Sequence, residues 1–177
     1  QVIIDHRPLA VSDTYSTDED TPLTVDVAGV LLNDTDSDGD ALSAVLVSGP
    51  TNGVLNLNPN GSFSYTPDAN FNGSDSFTYK TNDGVADSNI ANVSITINPV
   101  NDAPVAANEN YSTDEDTPLA IGALGVLGND SDVENDALSA MVVNGPTHGA
   151  LTLNSDGTFS YTPQLDFNGS DSFTYKA

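Results

Sequence analysis

The chain has 177 residues, 26 of them acidic and three basic, for a formal charge of −23 at pH 7. So acidic a surface excludes nucleic acid, which needs basic side chains, and insertion at an anionic membrane surface, which would repel it. With no cysteine there are no disulfides, thiolate metal sites or cysteine nucleophiles, and no apolar run approaches the ~20 residues that span a bilayer.

The partner such a chain attracts is a cation, because self-repulsion on this scale opposes a compact state unless something neutralises it. In chain order, short apolar runs bounded by turn residues predict seven strands in the first half, at 10–16, 23–27, 42–47, 53–57, 62–66, 76–81 and 91–97. Alternation is clearest at Phe63 and Tyr65, at Phe77 and Tyr79, and at Val93, Ile95 and Ile97. Asn58-Pro-Asn-Gly61 and Asn154-Ser-Asp-Gly157 read as hairpin turns. No stretch carries a helical period of useful length, so the pattern predicts a β-sandwich.

The chain then repeats itself. Tyr15-Ser-Thr-Asp-Glu-Asp-Thr-Pro-Leu23 returns as Tyr111-Ser-Thr-Asp-Glu-Asp-Thr-Pro-Leu119, an offset of 96 positions. Phe71-Asn-Gly-Ser-Asp-Ser-Phe-Thr-Tyr-Lys80 returns at the same offset as Phe167 to Lys176. A unit of that size holds its own core. The expected organisation is therefore one repeat over 1–99, a linker at 100–104 and a second repeat over 105–177. Ala177 aligns with Thr81, so the second repeat is expected to lack the last strand. The chain begins at Gln1 with no preceding Met and shows no signal peptide, which reads as an internal piece of a longer protein.

The acidic residues cluster in loops. If the strands alternate in direction, Asp18, Glu19 and Asp20 fall at the end of the first unit that leads into Asn101 and Asp102 of the linker. That end is predicted to meet Asp130, Asp132, Glu134 and Asp136 of the second unit. So many carboxylates repel one another unless a counter-ion joins them, and Ca²⁺ accepts roughly six to eight oxygen ligands. The loop Asp34, Asp36, Asp38 and Asp40 has alternate carboxylates suited to one ion, with Gly39 offering positive φ. At the matching position in the second unit stands Asn135, and Glu134 replaces Asp38. Asp114, Glu115 and Asp116 repeat the first acidic run. This is not an EF-hand, since Val45 stands where a bidentate Glu is required. The plainer alternative is a solvated acidic turn. Asp83 and Asp87 are weaker candidates. Asp75 and Asp171 read as turn or strand residues, Tyr15, Tyr65 and Tyr79 as core, and His6 and His148 as surface residues.

The quoted segments, with Asn101-Asp-Ala-Pro104, resemble the bacterial cadherin-like tandem repeats, also called VCBS-type or tandem-95 repeats, of large secreted adhesins. The resemblance implies immunoglobulin/cadherin-like seven-stranded Greek-key β-sandwiches. It also implies Ca²⁺ as cofactor, an extracellular bacterial cell surface, and neighbouring repeats of the same long chain as partners. By the same resemblance, Glu19, Asn101 with Asp102, and Asp130 with Asp132 would be junction ligands. Ile4-Asp-His-Arg-Pro8 departs from the Asn-Asp-Ala-Pro pattern. The expected function is a calcium-stiffened spacer in cell or biofilm attachment. Alternatives are a module binding a polysaccharide or surface protein, and a filament subunit. In the filament a strand donated by another copy fills the open edge of the second repeat, with Gln1-Val-Ile-Ile4 the candidate donor. No nucleophile elbow or repeated Ser/His/Asp pattern is present, so the chain is not expected to be an enzyme.

Overall fold

A computed structural model describes residues 5–177, and the candidate donor Gln1-Val-Ile-Ile4 lies outside the described residues. The chain divides into two compact units, Gln1–Val100 and Asn101–Ala177. In the first, seven strands form: β1 Asp13–Asp18, β2 Leu23–Val25, β3 Ser43–Ser48, β4 Gly53–Leu57, β5 Phe63–Pro67, β6 Gly73–Asn82 and β7 Ala91–Asn98. They build a four-stranded sheet in the order β1-β7-β6-β3 and a three-stranded sheet in the order β2-β5-β4. β1 and β7 run parallel, while β6 is antiparallel to both β7 and β3. This is the predicted Greek-key sandwich.

The period-two alternation decides which face is buried. Val93, Ile95 and Ile97 point from β7 into the core, where they meet Phe77 and Tyr79 of β6 and Phe63 and Tyr65 of β5. Phe63 packs edge-to-face on Tyr15, centroids 5.0 Å apart, and on Phe77 at 5.5 Å, an arrangement favoured by the ring quadrupoles. One approach explains a pair of repeated glycines. A single 3-10 turn, Gly29–Leu31, places the Val30 amide 3.0 Å from the Gly61 carbonyl oxygen. Gly61 has φ +84°, and a Cβ on it would collide with the Ala28 carbonyl oxygen. Gly125 and Gly157 repeat this lock in the second unit.

The second unit has β8 Leu119–Ile121, β9 Met141–Asn144, β10 Gly149–Leu153, β11 Phe159–Pro163 and β12 Thr174–Lys176. The sheet β10-β11-β8 copies β4-β5-β2, with Phe159 opposite Ile121 as Phe63 is opposite Val25. The other sheet is reduced to β12 and β9. The repeat predicts six strands here, and five form. Residues 109–114, which copy β1, form no strand, and of the copy of β6 only Thr174–Lys176 remains a strand. The sequence of 169–176 is identical to 73–80, so local propensity is not the cause. A strand is a hydrogen-bonded pairing, and in the first unit both segments pair with β7. Within residues 101–177 neither segment has such a partner to pair with.

Phe77 is 1 % exposed, whereas Phe173, the same residue one repeat later, is only half-buried. Phe77→Ala is expected to destabilise the first unit by about 3–5 kcal/mol, and Phe173→Ala to cost the second unit distinctly less. Urea denaturation followed unit by unit by NMR measures both, and equal losses would contradict the difference in packing.

Candidate metal centre

The carboxylates fall into three kinds of site. The first is the loop between the 3-10 turn and β3. Asp36 Oδ1 accepts hydrogen bonds from the amides of Asp38, Gly39 and Asp40, at 2.8, 2.9 and 3.2 Å. This folds the loop around one oxygen and requires the tight turn at Gly39, whose φ is +81°. Asp38 and Asp40 are thereby turned towards Asp5. Carboxylate oxygens of Asp5, Asp38 and Asp40 lie within 4.8 Å of one another, the one such acidic group found among the described residues. Partial desolvation, followed by repulsion from Asp83, Asp38, Asp40 and Asp36, raises the Asp5 carboxyl above its ordinary value. Asp38 is held low instead, by hydrogen bonds from the His6 amide and ring at 2.7 and 3.0 Å. Asp83 Oδ1 accepts from the amides of Val85 and Ala86. Asp36 Oδ2 and Asp83 Oδ2 are buried with no hydrogen-bond partner.

The second unit builds the same loop with Asn135 at φ +61° in place of Gly39. Asp132 Oδ1 accepts from the amides of Glu134 and Asp136, at 3.0 and 2.9 Å. Glu134 Oε2 accepts from the Asp102 amide at 3.3 Å, and its Oε1 is buried without a partner. The Asn101 side-chain amide donates to the Asp102 carbonyl. In each loop one aspartate, Asp36 or Asp132, shapes the backbone, and one buried oxygen goes unmet: the second oxygen of Asp36 itself in the first loop, and Oε1 of Glu134 in the second. Unpaired buried oxygens are costly, and oxygen-only donors suit a hard cation such as Ca²⁺. These residues fit the ion that the sequence implies.

The second site is the acidic turn after β1. Glu19 is only 3 % exposed. Its Oε1 accepts from the Val100 amide and its Oε2 from the Asn72 side chain. Asp18 accepts from the Asn98 side chain and Asp20 from the Asn70 amide. These carboxylates clamp the end of β7 and the loop before β6. In the second unit Asp116 accepts from the Asp166 amide at 2.9 Å, while Asp114 and Glu115 are exposed.

The third site was not singled out from the sequence. Asp34 does not join the Asp5 group. Its carboxylate accepts from the Val11 amide at 2.7 Å and from the Tyr79 hydroxyl at 3.1 Å. The same hydroxyl lies 3.2 Å from Asp13 Oδ2 and 2.7 Å from the Val30 carbonyl oxygen. Burial, only partly offset by the Tyr79 bond and reinforced by Asp34, pushes the Asp13 carboxyl up to about 6. Burial and these carboxylates raise the Tyr79 hydroxyl well above its ordinary value. Glu109, Asp130 and Tyr175 repeat the trio, with the Tyr175 hydroxyl 3.0 Å from Glu109 and 2.9 Å from Asp130. The signal was present in the sequence as an acid at both Asp13 and Glu109. Asp5 was likewise legible, since it aligns with Asn101.

The remaining candidates have structural partners. Asp75 is buried, which would raise it, yet amides of Thr51, Asn52 and Ser76 and the Tyr65 hydroxyl leave it below its ordinary value. Asp171 repeats that arrangement and is lowered to about 2. Asp87 pairs with Lys80. Exposed His148 stacks on Phe167, ring centroids 4.5 Å apart.

The chain belongs to the bacterial cadherin-like domain family, whose pattern it matches over residues 5–99 and again over 101–177. A search of the curated proteins finds no match. Among solved structures it is similar to the endo-fucoidan hydrolase MfFcnA4 from glycoside hydrolase family 107, at 22 % identity and a TM-score of 0.46. That match covers 96 % of this chain and 26 % of the hydrolase. It is also similar to extracellular cadherin domains 3–6 of protocadherin gamma B2, at 15 % identity and a TM-score of 0.47, over 91 % of this chain and 39 % of the other. This chain therefore spans well under half the length of either protein.

The Asp13 shift has a defined sign. Because folding raises its pKa from 3.8 to about 6, the stability attached to its protonated form is fully present below pH 3.8. It is lost as pH rises through about 6. In chelator, the denaturation midpoint of D13N relative to the unmodified chain should therefore climb between pH 4 and 7 and then level off. A constant difference across that range would refute the assignment.

Proposed function

We propose that this chain is a calcium-binding, non-enzymatic structural module of an extracellular bacterial adhesin, one that serves as a spacer in cell or biofilm attachment. The observation that carries the reading is the convergence of Asp5, Asp38 and Asp40 oxygens within 4.8 Å beside the partnerless Asp36 Oδ2. Like charges gathered this closely are relieved by a divalent cation. In the first unit Asp5, Asp36, Asp38 and Asp40 hold the ion, with Asp83 at the edge of the group. In the second, Asp132, Glu134 and Asp136 do so with Asn101 and Asp102. Asp18, Glu19 and Asp20, and Asp114, Glu115 and Asp116, are further ligand candidates at the opposite loops, and Asp34 and Asp130 belong first to their tyrosines. The bound ion supplies positive charge and fixes loop oxygens. It polarises no substrate.

Family membership supports the cadherin-like part of this reading, and the extracellular setting follows the habit of that family. No helix among the described residues is long and apolar enough to cross a membrane. A proton on Asp5, whose carboxyl is raised, competes with the ion in the first unit.

Calorimetric titration of Ca²⁺ into chelator-treated chain tests the proposal. Saturable binding is expected, together with a melting temperature that climbs with calcium, corresponding to about 2.7 kcal/mol at a hundredfold excess over Kd. Asp40→Asn, which removes a ligand without removing the Asp36 turn, should weaken the first unit's site by on the order of tenfold. No heat and identical melts with and without calcium would reject the reading.

A further inference from the structure

Three apolar side chains stand in a row on β3 of the first unit without burial. Val45, Leu46 and Val47 are 39, 45 and 46 % exposed. β3 is the last strand of the four-stranded sheet, and among the described residues it pairs with β6 alone. Its outer side therefore offers backbone N–H and C=O groups together with apolar side chains. An exposed apolar edge of that kind is a template for another strand. The second unit repeats the feature: Met141, Val142 and Val143 of β9 are the counterparts, and they too are exposed.

We propose that the β3 edge is a self-association surface. Its occupant is β3 of a second copy of this chain, running antiparallel and centred on Leu46, so that the two four-stranded sheets join into one.

Charge selects that occupant. A second copy also carries −23, and its repulsion opposes any contact through the acidic loops. The β3 side is the exception. No Asp, Glu, Lys or Arg stands between Asp40 and Asp68, a span that holds β3, β4 and β5. β3 and β4 are edge strands of the two sheets, so both edges are free of charge. Two of the three basic residues also lie beside this strand, Lys80 opposite Val45 and, in the second unit, Lys176 opposite Met141. Lys80 is paired with Asp87, which leaves the neighbourhood of β3 neutral. A basic partner would be drawn to the acidic loops instead. Only a like-charged one is directed to the uncharged edge.

Symmetry then fixes the register. In a twofold pair, residue i meets j and j meets i. With the axis at Leu46, Leu46 meets its own copy and Val45 meets Val47. Val45-Leu46-Val47 reads the same in both directions, so apolar faces apolar throughout. A register shift makes Val47 the extra residue of β3 against β6. An extra residue stays out of the existing ladder, and its backbone groups are left for a strand on the open side. An edge of six residues is a small interface, so the pair is weak and depends on concentration. The surface uses no ion and stands apart from the calcium reading.

Sedimentation velocity of the 177-residue chain in chelator is the test, in a V142K background so that β9 offers no second edge. The dimer is expected to grow with protein concentration and with salt, which screens the remaining repulsion. L46K should weaken association by roughly 100-fold with the thermal melt little changed, since two leucines leave the interface and two ammonium groups meet across the axis. L46C reads the register. Directly opposite residues of an antiparallel pair lie about 4.5–5.5 Å apart at Cα, within the roughly 4.4–6.8 Å that a disulfide spans, and the chain has no cysteine of its own. Under mild oxidation L46C should therefore form covalent dimers far faster than V85C, whose site is 77 % exposed but lies in the loop between β6 and β7. A chain still monomeric at about 1 mM, a dimer indifferent to L46K, or equal cross-linking of L46C and V85C would overturn the proposal. So would a monomeric chain whose β3 amides are already slow to exchange, because a segment of the same chain would then cover the edge.

Discussion

Placement of β7 between β1 and β6 is the interaction on which the four-stranded sheet depends. Among the described residues, β1 makes no strand pair other than β7, and β6 has only β3 on its far side. The central strand therefore supplies pairing to two neighbours and the apolar layer of Val93, Ile95 and Ile97 to the core. Where no such strand is present, residues identical to those of β6 shorten to Thr174–Lys176 and the copy of β1 is left unpaired. The other sheet keeps its register unchanged. Cooperativity in this fold is thus uneven: the β2-β5-β4 layer is self-sufficient, while the β1-β7-β6-β3 layer is organised from its middle.

A second constraint is how the acidic side chains are used. Many of the carboxylates act first as acceptors for backbone amides. Asp75 and Asp171 each hold three, Asp36 holds three, and Asp132 holds two. Loops rich in Asp, Asn and Gly leave amides without sheet partners, and a short ionised acceptor satisfies several at once. The net charge of −23 is in part a by-product of building long loops this way in a chain with only three basic residues.

The sequence announced the alternation of β5, β6 and β7, and the structure keeps those strands to within a few residues of the expected spans. The repeat offset likewise placed each second-unit residue beside its counterpart. What stayed hidden was any feature decided by a distant partner. Nothing in Gly169 to Lys176 tells that half of it will form no strand, because its sequence is that of β6. Asp34 looked like one more loop carboxylate in an alternating series. Its commitment to the Tyr79 hydroxyl depends on a strand 45 positions later, which no local spacing reveals. Asp5 could have been found from its position, which matches Asn101, although the motif around it differs from Asn101-Asp-Ala-Pro104.

The alternating carboxylates of the 34–40 loop divide their labour by geometry. Asp34 faces inward to Tyr79 and the Val11 amide, Asp36 faces the loop's own backbone, and Asp38 and Asp40 face Asp5. The loop folds around Asp36 and turns at Gly39, φ +81°, so Asp38 and Asp40 come together at Asp5. A carboxylate has two oxygens, and Asp36 uses one of them on three amides while the other stays buried without a partner. The backbone bonds hold that second oxygen in place. An ion arriving at the proposed site would therefore meet a donor whose ordering cost was already met by folding, and that is the condition under which a flexible acidic loop becomes a selective one.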